Sequence, residues 1–334
     1  MAQLKGEIAP LFTAPISFDL RDKKIIQYML VNPRVKLRLI AKDLRISKSA
    51  VSRRIDSLRT QGVLIEPIVI SDFQEYGVSR YAIFMVVDKQ PPSEVVSQLS
   101  SLPFVSAVMS SLGRYQFGVY IDVTPLKPLK WHLSRLNNVL MPRQMEVLRV
   151  GAIELQPYNL FDVSIDYGYR PAHKRFGIKP EDVKILSGIQ RDPVISSLTL
   201  AKNLGMNQKT VFNRMKLWLD SGHLHLFHNI NIFGLGFIPF LFILTFDESH
   251  RLRIKALVKS CRFINNVFDT KKGMLSVGVF DSFASLYAFM KSIEDKAGDA
   301  IFTFEHLLLV HQHYNNFLPP MVIDYLKTVA KKQS

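Results

Sequence analysis

Residues 20–64 read LRDKKIIQYMLVNPRVKLRLIAKDLRISKSAVSRRIDSLRTQGVL. Ile25, Ile26, Met29 and Leu30 recur at helical spacing, so a first helix with one buried face is expected from Asp22 to Val31. Ser17 or Asp19 can cap its start. Asn32-Pro33 ends it, because proline and the residue before it resist a continuing helix. A second short helix is expected over Arg38–Leu44, a turn at Arg45-Ile46, and a third helix opened by Ser47 as N-cap. On that third helix Val51, Ile55 and Leu58 share one side, while Ser49, Ser52, Arg53, Asp56 and Thr60 share the other. Gly62 sits where a left-handed residue closes a helix, and Val63–Ile70 reads as a β-strand pair or wing.

The outward side has the composition a DNA groove demands. Small hydroxyls at Ser47, Ser49 and Ser52 let the backbone approach a duplex closely. The planar fork of Arg53 can bind a guanine edge with two bonds. Lys48 and Arg54 flank it, with Arg38 on the preceding helix, where phosphate contacts are expected. The bland alternative is a three-helix packing module with a solvated basic face. Short helix, turn, serine-rich start, central arginine and local charge together favour DNA contact.

The unit occurs twice. Asp22–Ile70 overlays Asp182–Ile230 without a gap at an offset of 160, matching Lys24 with Lys184, Pro33 with Pro193, Ala41 with Ala201, Val51 with Val211, Arg54 with Arg214 and Gly62 with Gly222. The second copy keeps an inward side of Val211, Met215 and Trp218, and faces outward with Lys209, Phe212, Asn213, Lys216 and Asp220. Asn213 stands where Arg53 stands, and asparagine suits adenine as arginine suits guanine. The second copy is either a reader of a different half-site or a unit drifted into a spacer or interaction surface.

Charge follows the same asymmetry. The 334 residues carry 43 Lys/Arg and 28 Asp/Glu, a net +15 that favours a polyanionic partner. Residues 20–62 hold twelve Lys/Arg against three acids (+9), and residues 180–222 hold six against four (+2). If the excess meets phosphate, the first unit carries most of it. Hydrophobic residues at 48% and charged residues at 21% describe an ordinary folded chain. With Cys261 as the only cysteine no intrachain disulfide can form, which fits a cytoplasmic protein. Residues 1–17 lack a secretory pattern. The longest uncharged apolar run, Ile232–Phe246, is short for a membrane span and contains Gly234, Gly236 and Pro239, so a buried strand after a turn is expected and no membrane partner.

The first unit resembles the DNA-binding domain of the Lrp/AsnC (feast/famine) transcription regulators. The resemblance rests on Asp22-x-x-Ile25-Ile26, Arg34-Val35, Ile40-Ala41, Leu44, and Ser47-x-Ser49-x-Val51-x-x-Arg54-Ile55-x-x-Leu58-x-x-x-Gly62-Val63. It implies a following βαββαβ domain that assembles subunits into dimers or higher oligomers and can bind an effector. Patterning supports that order: strands at Tyr81–Val87, Phe104–Ser111, Tyr115–Val123 and Gln144–Leu155, with helices at Ser93–Leu102 and Leu126–Leu136. The order returns at Phe237–Phe246, Arg251–Cys261, Phe263–Thr270, Met274–Phe280, Ser282–Asp295 and Ile301–His313. The expected fold is therefore α+β, two winged helix-turn-helix domains (17–70 and 180–232) alternating with two ferredoxin-like βαββαβ domains (78–156 and 237–315) whose sheets pair. A linker at 157–179 and a surface tail at 316–334, free to touch phosphate, complete it.

Amino-acid-responsive members of the family carry an acid shortly after the glycine between the central strands. Here Gly113 is followed by Arg114-Tyr115-Gln116 and Gly273 by Met274-Leu275-Ser276, so an effector at Gly113 and Gly273 competes with a plain tight-turn role. Fused siroheme decarboxylases also resemble tandem Lrp-type chains, and His306, His311, His313 and Arg114 would be the residues gripping carboxylates in that reading. A nucleoid protein of low specificity is the third class that the charge permits. His311/His313 and His223/His225 have metal-ligand spacing on a strand, but no Cys or acid stands nearby, and half-buried histidines are expected instead. No P-loop, GxGxxG after a strand or HExxH occurs. The expectation is a non-enzymatic, cofactor-free regulator that reads double-stranded DNA mainly through residues 47–61.

Overall fold

Asp19 starts the first helix by accepting from the Asp22 N–H, and Asp22 reaches back to the Asp19 N–H. The computed structural model describes residues 16–89, 91–155, 158–161, 163–165 and 175–333. Helices α1 (Leu20–Val31), α2 (Leu37–Leu44) and α3 (Lys48–Thr60) pack Ile25, Ile26, Ile40, Val51, Ile55 and Leu58 into one core. Arg45 at φ 53° makes the turn between α2 and α3, and Gly62 at φ 70° lets the chain leave α3 for β1 (Leu64–Ser71).

Strand β2 (Ser79–Val86), helix α4 (Ser93–Ser101), strands β3 (Val105–Leu112) and β4 (Phe117–Val123), helix α5 (Leu129–Leu140) and strand β5 (Gln144–Leu155) follow, then a short hairpin of β6 (Tyr158–Leu160) and β7 (Val163–Ile165). Helices α6 (Pro180–Arg191), α7 (Ser197–Leu204) and α8 (Gln208–Asp220) and strand β8 (Leu224–Ile230) come next. The chain continues through β9 (Ile238–Phe246), α9 (Arg251–Lys259), β10 (Ile264–Thr270), β11 (Gly273–Phe280), α10 (Phe283–Ala297), β12 (Ile301–Asn315) and α11 (Pro320–Gln333).

Eight strands close into a barrel in the order β10-β11-β9-β12-β3-β4-β2-β5. It is sealed by two antiparallel pairings between distant segments, β5 with β10 (Leu155 opposite Asn266) and β3 with β12 (Leu112 opposite Leu308). Among the described residues the barrel therefore has no unpaired edge strand. Period-two alternation sorts its side chains. Ala82 and Phe84 of β2 and Leu241 and Ile243 of β9 face the interior. Ile83 and Met85 pack outward with Val96, Leu99 and Leu136 of α4 and α5, and Phe240, Phe242 and Leu244 with Ile254, Leu286 and Phe289 of α9 and α10.

Three expectations are corrected. The wing strand β1 does not pair locally: its partner is β8, antiparallel from Leu64 opposite Ile230 to Ser71 opposite Leu224, so the two wing segments form one ribbon. Residues 316–334 are not a free tail. Leu318, Val322, Ile323, Leu326 and Val329 are buried against Val183, Leu186, Ile189 and Trp218, because the apolar stripe of α11 has a matching surface on α6 and α8. The span 157–179 is not wholly a linker either. Within it β6 and β7 pair, and Leu160 and Phe161 join the core of the first helix set. The Ile232–Phe246 run does form a turn and a buried strand, β9. Among the described residues no helix is long and apolar enough to cross a membrane.

Candidate nucleic-acid interface

Helix α3 is fixed from beneath and open on top. Ser47 Oγ accepts from the Ala50 N–H at 3.1 Å and meets Ser49 Oγ at 2.9 Å, satisfying the first turn. Val51, Ile55 and Leu58 are at most 4% exposed, which holds the helix against α1 and α2. Lys48, Ser49 and Arg53 are exposed, Ser52 is half-buried, and Arg38 is exposed on α2. Arg38, Lys48 and Arg53 make no hydrogen bond or ion pair with any described residue, so their donors are available to a partner.

Arg54, expected at phosphate, is instead seen engaged within the chain. Its Nη1 lies 2.7 Å from Asp22 and 2.9 Å from Asp19, so it ties α3 to the capped start of α1. The Asp19 carboxyl is held below its ordinary range by the Asp22 N–H and then by Arg54. The bond to Asp22 in turn strengthens the Arg54 cation.

Helix α8 has the same frame with other groups on top. Asn207 caps it by accepting from the Lys209 N–H at 2.9 Å. Arg214 holds Asp182 with two nitrogens, and Trp218 Nε1 donates to the same carboxylate at 3.1 Å. Lys209, Asn213 and Lys216 are exposed, together with Phe212 at 54%.

A third arginine was missed by the sequence reading. Arg34 donates through Nε and Nη2 to the carbonyl of Pro193, at 3.1 and 2.8 Å, and so joins the α1–α2 turn to the α6–α7 turn. The 160-residue offset places Val194 opposite Arg34, and that loss of symmetry at an otherwise matched Pro was the available signal.

The glycines proposed for an effector are occupied by packing. Gly113 has φ 139°, and a Cβ there would stand 2.8 Å from the Leu307 side chain. A Cβ on Gly273 would overlap the Leu244 carbonyl of β9. Close strand approach explains both residues. Of the residues considered for gripping carboxylates, Arg114 is paired with Glu305 at the surface and His306 is exposed. His311 and His313 do meet, with ring centroids 4.2 Å apart. His313 bonds Ser110 Oγ at 2.7 Å, and burial, reinforced by His311, depresses its pKa to about 4. His223 is buried among Phe73, Tyr76, Phe176 and Trp218 and bonds Ser221, while His225 bonds the Gly222 carbonyl. Among the described residues no three of His, Cys, Asp and Glu come together to hold a metal.

Between the barrel interior and the β1–β8 ribbon lies a cavity of about 260 Å³. Among the described residues its wall is mostly apolar, with His228 and His311 and no lysine or arginine.

A family profile described as winged helix-turn-helix DNA-binding matches residues 18–65. The HTH-type transcriptional regulator FL11 of Pyrococcus furiosus is 31% identical over 119 residues, covering 35% of this chain and 79% of that protein. An uncharacterised HTH-type transcriptional regulator of Pyrococcus horikoshii is 29% identical over 99 residues, covering 29% of this chain and 66% of that protein. Among solved structures, the siroheme decarboxylase NirDL superposes with a TM-score of 0.59 at 15% identity, covering 93% of this chain and 99% of that one. At that identity the likeness is one of fold.

Proposed function

The chain belongs to the Lrp/AsnC-type HTH transcriptional regulators, and from that premise we propose that it reads duplex DNA through α3 as a tandem, dimer-like regulator. One observation carries this reading: α3 is clamped on its inner side while Lys48, Ser49 and Arg53 stand exposed, with no described partner for either cation. Arg53 specifies a base edge in the major groove; Lys48 and Arg38 position the helix on phosphate.

In this reading residues 17–70 and 180–232 are winged helix-turn-helix units and residues 78–156 and 237–315 the βαββαβ units between them. The Arg34–Pro193 bond supports a fixed spacing of the two units. Helix α8, through Lys209, Asn213 and Lys216, takes a non-identical half-site about 34 Å away or a multiple of that. The barrel strands are all paired within the chain, so further oligomers would use helix faces, where Leu252, Phe283 and Tyr287 are exposed, in place of strand edges.

The enzymatic alternative has the fold likeness for support and the chemistry against it. Carboxylates of a siroheme need cations, and among the described residues the cavity wall offers no lysine or arginine, only the imidazoles of His228 and His311. The test is selection of bound genomic fragments with the full chain, then retardation at stated salt with and without Arg53→Ala. Retention of a preferred site over random competitor supports the proposal; equal binding to both overturns sequence reading. A spectral shift on adding siroheme without DNA retardation would favour the enzyme.

A further inference from the structure

The cavity between the barrel and the wing ribbon is not used by DNA reading, and its wall is unusual in two respects. First, the apolar part is contributed by both halves of the barrel, as Met109, Tyr120, Leu241 and Phe268, and by both wing strands, as Ile70 and Phe227. A molecule seated there touches β1 and β8 together. Second, the cavity holds stranded polar groups. The Oδ1 atoms of Asn265 and Asn315, both on its wall, are buried without a hydrogen-bond partner. Asn265 is only 5% exposed, and a buried amide oxygen without a partner is a standing demand for a donor. Its counterpart at the 160-residue offset is Val105, so the polar group is not part of the shared barrel plan.

Charge narrows the occupant. Among the described residues no lysine or arginine lines the wall; of its two histidines, His228 and His311, the first is kept neutral by burial, with a pKa near 4. Among the described residues an anion would meet no lysine or arginine there. Size narrows it further. A volume of about 260 Å³ equals the share of about nine waters, which is a small ligand for a protein pocket.

We propose that this cavity is a binding site for a small, neutral, largely apolar molecule bearing at least one hydrogen-bond donor, which Asn265 and Asn315 receive. Indole is a suitable probe, being flat, uncharged and provided with a single N–H. The full chain, free of DNA, is titrated calorimetrically with indole, 1-methylindole and indole-3-carboxylate. Indole is expected to bind at millimolar concentration or below, 1-methylindole up to about tenfold more weakly for want of its donor, and the carboxylate not at all. Asn265→Leu should bring the first two affinities together, and Val277→Trp, which fills the cavity, should abolish both. Circular dichroism and a cooperative thermal transition report that Val277→Trp is folded, and Asn265→Leu supplies an independent reading if it is not. Silence with indole up to its solubility, equal affinity for the carboxylate, indifference to methylation in the parent chain, or binding that survives Val277→Trp would each overturn the assignment. Because no DNA is present, the outcome is independent of how α3 is used.

Discussion

Arg54 and Arg214 lie 160 positions apart and grip equivalent aspartates, Asp22 and Asp182, in different surroundings. The Asp22 side chain is 19% exposed and shares its arginine with Asp19. The Asp182 side chain is fully buried, takes a third bond from Trp218, and sits beneath a layer that includes Phe73, Tyr76, Phe176 and α11. One set of three helices is lightly held and strongly basic outside; the other is deeply anchored and nearly neutral outside. An identical local plan can thus supply a reading surface in one copy and a foundation in the other, depending on which distant segments pack against it.

Breaking the two clasps should give the largest contrast. Asp182→Ala leaves Arg214 largely buried without its counter-charge and should cost about 3–5 kcal/mol in denaturant unfolding of the full chain. Asp22→Ala, partly solvated and with Asp19 remaining, should cost at most about 1 kcal/mol. Similar midpoints for the two variants would erase the distinction drawn here.

On DNA the order reverses. Arg53→Ala should lose about 1–3 kcal/mol on the preferred site and relax its base preference, whereas Asn213→Ala should lose less. Titration of selected and scrambled duplexes decides, and a larger loss at Asn213 would make α8 the principal reader.

Acid should be felt at the buried histidines, two of which stand in the second unit. At the 160-residue offset His223, His225 and His228 replace Val63, Ile65 and Ile68. Burial depresses His228 and, on β12, His313 to about 4 and lowers His223 and His132 as well, so His228 carries one share of the effect. The unfolded chain binds these protons near the ordinary histidine value and the folded chain does not. Stability is therefore complete above about pH 6.5 and falls as pH drops towards 4, by about 1.4 kcal/mol per pH unit for each proton. Thermal unfolding between pH 7 and 5 should show the decline, and His228→Ile should flatten it; an unchanged slope would place the acid sensitivity elsewhere.

The smallest effect separates positioning from reading. Lys48→Ala should weaken all sequences alike and flatten the salt slope by about one unit, with Lys209→Ala doing less. A slope unmoved by Lys48→Ala would remove it from the phosphate contacts.

Helix α3 was legible because its signals are local. Serine at the cap, apolar residues three and four apart, and a glycine at the close determine both where α3 lies and which side faces out. The role of Arg54 was not legible, since an arginine on a helix flank looks the same whether it meets phosphate or a carboxylate 32 residues earlier. The succession of strands and helices along each half was readable from alternation and helical spacing. Pairing of β1 with β8 was not, because hydrophobic period names the buried face of a strand and leaves its neighbour open.

Sequence alone therefore determined the element order, the residue matches at an offset of 160, the outward residues of α3 and α8, and the excess of charge on residues 20–62. Only the tertiary structure decided that α11 completes the second core, that Arg34 bridges to Pro193, that Arg54 is spent on an internal clasp, and that two asparagines face an apolar cavity without partners. Helix periodicity and capping act over a few residues, within reach of inspection along the chain. Burial, ion pairing and unsatisfied polar atoms are set by what arrives from tens to hundreds of residues away.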